Sequence, residues 1–400
     1  PAFVISGFQP VQILKGQKGA AGGKGGIRKT LVVVQFSISI VLMIVTTIIF
    51  QQLNFLNNRD LGYAKDQIIT LRYFPELVEN YDAFHNEVMK HSTIKHVARS
   101  SRIPTGRLLD SQGAAQVQQG DSMATSNVTL KNIRVDYEFF DAYEIPVVAG
   151  RNFSKDIKQD DSLGFILNEA AVKMLGLSQD EILNRDFQYG GVKGRVVGVV
   201  RDFHFESLHE TIIPMVFHPA PFYSRISVKV AGSDTQAAIA HLEKTWRDFS
   251  PQRPFEYDFL SVRYKKLYEA EQKQGQLFTT FSILAIVIAC LGLFGLATFN
   301  TMQRIKEIGV RKVLGASTSH IVGILSKEII VLVVIANLFA WPLAWYSMNQ
   351  WLDGFAYKVD LNIGIFVLAT FAALLIALLT VSSQTIKAAL TNPSKTLRYE

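Results

Sequence analysis

RIKEIGVRKVLGAS, residues Arg304 to Ser317, is a short basic stretch held between two apolar runs. Leu277 to Phe299 precedes it and Ile329 to Met348 follows it, each near the ~20 residues that cross a bilayer as a helix. A charged segment so placed is a loop at the membrane surface, within reach of a soluble partner. Working outward, Leu31 to Phe50 and Ile363 to Val381 are two more apolar runs, while Gln51 to Gln276 has the mixed polarity of a water-exposed domain. The expected fold is therefore a membrane α-helical chain with four transmembrane helices and a large α+β domain inserted between helices 1 and 2.

Charge orients this arrangement. Residues 54–275 carry 27 Lys+Arg and 29 Asp+Glu, which leaves 14 basic and 5 acidic residues for the rest of the 400. The excess sits in short segments: Lys15, Lys18, Lys24, Arg28 and Lys29 before the first run, Arg304, Lys306, Arg311 and Lys312 between the second and third, and Lys387, Lys395 and Arg398 after the fourth. Short basic segments stay on the cytoplasmic side, and long domains cross largely regardless of charge. Both termini and the 301–320 segment are expected inside and the large domain outside. The expected boundaries are 1–30 cytoplasmic, 31–53 first span, 54–275 outer domain with stalk helices, 276–300 second span, 301–320 coupling segment, 321–348 third span, 349–362 outer loop, 363–384 fourth span and 385–400 cytoplasmic tail.

The same distribution argues against nucleic-acid binding, because the net +7 lies where membrane orientation requires it. One cysteine, Cys290, excludes an internal disulfide, so the outer domain rests on its apolar core. The first run is too long for a signal-peptide core and lacks a small-residue cleavage site, so it reads as a retained span. The start at Pro1, and the echo of Pro10 to Leu14 in Pro393 to Leu397, suggest a piece of a duplicated chain.

In the outer domain, strands are expected at 67–73, 94–100, 128–135, 164–167, 194–202 and 225–230. Helices are expected at 81–91, 137–143, 169–175 and 235–249, with 106–127 a loop or irregular hairpin. Gln51 to Asp60 and Ser261 to Gln276 read as stalks that enter the membrane without a break.

Few constellations suggest chemistry. The glycine run Gly16 to Gly26 before Arg28-Lys29-Thr30 lacks the glycine that a phosphate-binding loop needs immediately before its lysine, so it reads as a flexible linker. Asp202, His204, Glu206, His209 and Glu210 lack the helical spacing of a zinc motif, and a hydrogen-bonded turn is the expected reading. Catalytic residues, metal and cofactor are all expected to be none, and the chain is not expected to be an enzyme. Ala285, Ala289, Gly292 and Gly295 place small residues on successive turns of the second span, a helix-packing pattern. Lys327 and Glu328 fall at the inner interface, where they can snorkel or pair. Trp341, Trp345, Tyr346 and Trp351 read as an outer aromatic belt. In the opening segment Glu307 stands three residues after Arg304 and four before Arg311, a helical pairing register, with Gly309 marking a kink and Gly315 a stop.

These residues resemble the FtsX-like, MacB-type family of ABC transporter permeases, specifically the C-terminal half of a duplicated Bacteroidetes-type form. Arg304 to Ser317 is similar to the family signature R-x-K-E-I-G-[IV]-R-K-x-L-G-A. Similar too are V-D-Y-E-F-F-D-A-Y-E-I-P-V-V-A-G-R-N-F-S from Val135 to Ser154, Asn168-Glu169-Ala170-Ala171, V-V-G-V-V-R-D-F-H-F-E-S-L-H from Val196 to His209, and the ending from Asn392. The resemblance implies a bacterial inner-membrane protein with a periplasmic domain. It also implies an ABC ATP-binding subunit docked on Arg304, Lys306, Glu307, Gly309, Arg311, Lys312 and Gly315, and mechanotransmission from that subunit to the periplasm. Further implied partners are a second permease half or homodimer partner, the lipid bilayer and periplasmic proteins. The implied function is export or efflux of a peptide, antibiotic or lipoprotein-type substrate; the alternative is a transmembrane signal transducer regulating a periplasmic cell-wall hydrolase.

Overall fold

Helix α1, Ala21–Asn58, opens the computed structural model, which describes residues 21–390 apart from 112, 113, 121, 233, 305, 306, 308, 309, 312 and 313. The helix takes in Gly22, Gly23, Gly25 and Gly26, where the sequence suggested a flexible linker. Propagation from a long apolar helix adds one hydrogen bond per residue, which offsets the roughly 1 kcal/mol that each glycine costs. The segments 1–20 and 391–400, with Lys306, Gly309 and Lys312, lie outside the described residues.

The elements that follow are β1 (Ile68–Arg72), α2 (Tyr81–Met89), β2 (Ile94–Ser100), β3 (Ala114–Gln119), β4 (Ser122–Thr129), β5 (Lys131–Arg134), α3 (Phe139–Ala142), β6 (Val147–Gly150), α4 (Asp160–Leu163), β7 (Gly164–Asn168), α5 (Glu169–Met174) and α6 (Gln179–Ile182). The domain continues with β8 (Asp186–Tyr189), β9 (Val192–Val200), β10 (Met215–His218), β11 (Arg225–Val230), α7 (Thr235–Phe249), β12 (Tyr257–Phe259) and α8 (Leu260–Lys266). Three long helices complete the chain: α9 (Glu269–Gln303), α10 (Thr318–Leu352) and α11 (Ile363–Leu390).

The chain divides into two compact units. The outer unit, Asn54–Ala270 with Gly354–Lys358, contains two sheets. The smaller is antiparallel in the order β12-β1-β11-β2 and packs on α2 and α7. Trp246, 1% exposed, sits in its core with Phe84, Leu242 and Val228. Its ring meets Phe74, Phe84 and Phe255 at 6.0, 6.3 and 6.1 Å, and its Nε1 donates to the Arg253 carbonyl at 3.1 Å. The larger sheet is mixed, in the order β4-β3-β8-β9-β7-β10-β5, with β6 on β9. The nine-residue β9 takes β8 along 192–195 and β6 along 198–200, with β7 parallel to it.

The family-like segments are structural joints within this unit. Asn168, fully buried, caps α5 by accepting from Ala171 N, accepts from Met215 N at 2.8 Å and donates to the Ile213 carbonyl at 2.9 Å. Asp136 and Glu138 close the free edge of β2. The Asp136 Oδ2 accepts from Arg99 N at 2.6 Å, and the Glu138 Oε2 accepts from Val97 N at 3.2 Å. Burial pushes the Asp136 carboxyl up to about 7, against the opposing pull of Arg99. Edge N–H groups are thereby denied to other strands.

The second stalk departs from the uninterrupted helix expected of it. Helix α8 ends at Lys266 and α9 starts at Glu269, with a turn at Leu267 and Tyr268. Tertiary contacts account for the break: the buried Tyr268 hydroxyl accepts from Leu208 N at 2.8 Å, and the Tyr264 hydroxyl donates to the Leu56 carbonyl at 2.8 Å.

Among the described residues four helices are long and apolar enough to cross a membrane, at Gly26–Asn58, Glu269–Gln303, Val322–Leu352 and Ile363–Gln384, and most of their length belongs to the other unit. Helices α10 and α11 pack together. Ala336, Ala340 and Ala344 on one and Ala369, Ala373 and Ala377 on the other are all buried. Small residues at four-residue spacing let helices approach closely. A polar relay is shared by the same pair: Trp341 Nε1 donates to Thr370 Oγ1 at 3.0 Å, and Thr370 Oγ1 donates to Asn337 Oδ1 at 2.6 Å.

Candidate functional site

The Arg304 to Ser317 segment is built by local capping rules. Arg304 N donates to the carbonyls of both Asn300 and Thr301 at 3.2 Å, closing α9. Glu307, Val310 and Arg311 are helical, and the Glu307 carboxylate pairs with Arg311 Nη2 at 2.7 Å. Gly315 follows at φ +89°, a left-handed conformation that favours glycine. Ala316 N then reaches back to the Arg311 carbonyl at 2.9 Å, the closing bond of a Schellman motif. Two residues later the Ser317 side chain accepts from His320 N and starts α10. Three consecutive residues thus end one helical turn and open the next helix. On this short segment Val310 is 49% and Leu314 80% exposed, two apolar side chains among basic ones.

Beside it, three helices converge on one carboxylate. Glu328 of α10 forms an ion pair with Lys29 of α1, accepts from Asn300 Nδ2 of α9 at 3.4 Å, and lies 4.0 Å from Arg304 Nη2. Arg28 of α1 places its guanidinium 4.0 Å over the Phe299 ring of α9. The Glu328 side chain is 24% exposed, so its charge is only partly screened by water. This arrangement brings side chains from the ends of α1, α9 and α10 together beside Arg304.

Two family models match the chain: the MacB-like periplasmic core domain over residues 31–245 and the FtsX-like permease C-terminal region over residues 279–393. The first covers more than half of the 400 residues. The chain belongs to the FtsX-like, MacB-type ABC transporter permeases. Among relatives, the macrolide export ATP-binding/permease protein MacB of Bartonella quintana (strain Toulouse) is 25% identical over 237 residues, 54% of this chain and 35% of that protein. The ABC transporter permease YvrN of Bacillus subtilis (strain 168) is 25% identical over 293 residues, 66% of this chain and 69% of that protein. The chain therefore spans about a third of the length of the MacB relative and about two thirds of YvrN. The periplasmic region of MacB from Actinobacillus actinomycetemcomitans aligns over 53% of this chain and 97% of that chain, at 15% identity and a TM-score of 0.36.

The capped segment lies within the stretch matched by the FtsX-like permease C-terminal model, and the other residues singled out in the sequence are dispersed. On α9, Ala289 is buried, Ala285 half-buried and Gly295 exposed. A Cβ on Gly295 would meet nothing within 4 Å, whereas one on Gly292 would lie 2.3 Å from Gln35 Oε1. The close α1–α9 approach therefore centres on Gly292 and Gly275, whose added Cβ would lie 3.2 Å from Ile49. Gly295 takes no part in it. Trp341 turns inward to Thr370, while Trp345 and Tyr346 are exposed.

Three of the five polar residues singled out in the 202–210 stretch bond to separate partners. Asp202 Oδ1 accepts from Ala170 N at 2.8 Å, Glu206 accepts from Leu108 N, and His209 Nδ1 pairs with Ser207 Oγ at 3.1 Å. Burial, with Arg59 nearby, brings His204 down to about 4 and keeps it neutral near pH 7. Among the described residues no group of three or more His, Cys, Asp or Glu is placed to hold a metal ion.

The sequence reading placed Glu328 at the inner interface, where it can pair, and did not name its partners Lys29, Asn300 and Arg304. Its signal was present: outside the outer domain only five acidic residues occur, and Glu328 stands beside a span whose neighbours end in Lys29 and Arg304. The alanine stripes of α10 and α11 carried a similar unread signal.

Proposed function

We propose that the chain is the membrane subunit of an ABC transporter in a bacterial inner membrane, converting ATP hydrolysis by a separate ATP-binding subunit into movement of its periplasmic domain. In this reading the subunit docks on Arg304, Lys306, Glu307, Gly309, Arg311, Lys312 and Gly315. Leu314 and Val310 supply the apolar contact and the basic side chains supply orientation. The observation that carries the reading is the convergence of α1, α9 and α10 on Glu328 next to a capped, exposed segment. Force on the segment enters all three helices together. The substrate class is that of the family's exporters, a peptide, antibiotic or lipoprotein-type molecule, and the MacB relatives are named for macrolide export.

The test is copurification of the full chain from its native membrane, followed by ATPase assay of the recovered complex in lipid. An ATP-binding subunit should copurify, and its hydrolysis should rise several-fold with the permease present. Glu307→Lys, which replaces the Arg311 pair with repulsion, should remove most of that rise while leaving membrane insertion intact. Unchanged stimulation by this variant would refute the docking site, and absence of any ATPase partner would refute the reading as a whole.

A further inference from the structure

Residues 353–362 join α10 to α11, yet five of them, Gly354–Lys358, belong to the outer unit. Their backbone is bonded there. Ala356 N donates to the His209 carbonyl at 3.1 Å and Tyr357 N to the Leu208 carbonyl at 3.4 Å. Their side chains are held as well. The Phe355 ring, 6% exposed in the chain, stacks on the His209 ring at 4.3 Å and 25°. Tyr268 stacks on the same imidazole at 5.8 Å and 22°. Tyr357 meets His204 edge-on at 4.7 Å, and the Arg59 guanidinium lies 4.2 Å over the Tyr357 ring.

We propose that Phe355 and Tyr357 form a closed clasp through which the α10–α11 hairpin pulls on the periplasmic domain, a third mechanical link beside the stalks at Arg59 and Tyr268. The proposal rests on the coupling reading above. Three features support it. The clasp grips residues at the base of both stalks, Arg59 just beyond α1 and Tyr268 just before α9, so three chain crossings meet at one aromatic cluster. The flanks are fixed: Asp353 N donates to the Asn349 carbonyl at 3.0 Å, and Val359 N donates to the Oε1 of Gln52, a fully buried side chain, at 2.9 Å. Finally, five residues reach at most about 17 Å when fully extended, too little slack to absorb a large displacement between fixed ends. A neutral His204 keeps a second positive charge away from Arg59 at the Tyr357 ring. Phe355 and Tyr357 are positioning residues, acting through His209 and His204.

Deuterium uptake of the outer unit, with and without ATP, tests this in the copurified complex in lipid. The wild-type complex should show an ATP-dependent change in uptake. Phe355→Ala/Tyr357→Ala should shrink that change at least fivefold while hydrolysis stays within twofold, and the conservative pair Phe355→Tyr/Tyr357→Phe, which keeps both rings, should restore it. A wild-type response that the double variant keeps in full overturns the clasp and leaves the coupling reading standing. A wild-type complex that shows no response overturns the coupling reading and the clasp with it. A second variant guards against misfolding: Ala356→Cys/His209→Cys in a Cys290→Ser background joins two backbone neighbours. The paired cysteines remove the imidazole on which Phe355 stacks, so under reduction the response should fall as in the double variant, and the disulfide, which closes the clasp covalently, should restore it. A full response under reduction, or no recovery on oxidation, contradicts the clasp.

Discussion

Glu328→Lys is expected to destabilise the membrane unit and to abolish coupling in the ATPase complex. The change places a third positive charge between Lys29 and Arg304, where the carboxylate now holds both. Two unit charges 4 Å apart interact by about 4 kcal/mol at an effective dielectric of 20, and the partial exposure of both cations reduces this to roughly 2 kcal/mol. Glu328→Gln should have a milder effect, since it retains an oxygen for Asn300 and introduces no repulsion. The measurement is thermal aggregation in detergent alongside ATPase stimulation in lipid. If the lysine variant matches wild type in both, the hub carries no load.

The second large effect belongs to the outer unit. Trp246→Ala should cost about 3–5 kcal/mol, the range for emptying a buried large aromatic site. The indole is 1% exposed and in contact with three aromatic rings, and the Arg253 carbonyl would lose its donor. Set against a typical domain stability of ~5–15 kcal/mol, this is a large share of the total. Protease resistance of the outer unit in the full chain should fall at temperatures well below the wild-type transition. Trp246→Phe, which keeps a ring and loses the hydrogen bond, should fall between the two. Equal resistance of the alanine variant and wild type would show that this core does not hold the unit together.

How much of this was legible in the sequence follows from physical range. The four long helices were legible because each apolar run carries its own signal over ~20 residues. Strands β2 and β11 and helix α7 were expected with the bounds they have, since their patterns are also local. Strands β6, β8, β10 and β12 were missed. Three or four residues are too few to display alternation, and β6 and β12 depend on distant partners, β9 and β1. Strand β8 pairs with β9 across the two-residue turn Gly190-Gly191, both at positive φ, a local signal the sequence reading left unused. The β3–β4 hairpin fell in a Gln/Ser-rich stretch expected as a loop or irregular hairpin. The break at Leu267 and Tyr268 depends on the Leu208 amide, and the clasp at 354–358 depends on His204 and His209. Such pairings have no sequence period. The capped segment was legible for the opposite reason: glycine at a left-handed position and serine at a helix start are local chemistry.

The central claim is that Arg304 to Ser317 faces the cytoplasm while the large α+β unit faces the periplasm. In a Cys290→Ser background, Leu314→Cys and Phe222→Cys place single thiols at side chains that are 80% and 71% exposed. A membrane-impermeant maleimide added to spheroplasts with intact inner membranes should label residue 222 and leave residue 314 unlabelled until the membrane is broken. Labelling of residue 314 in intact spheroplasts, or protection of residue 222, would contradict the account.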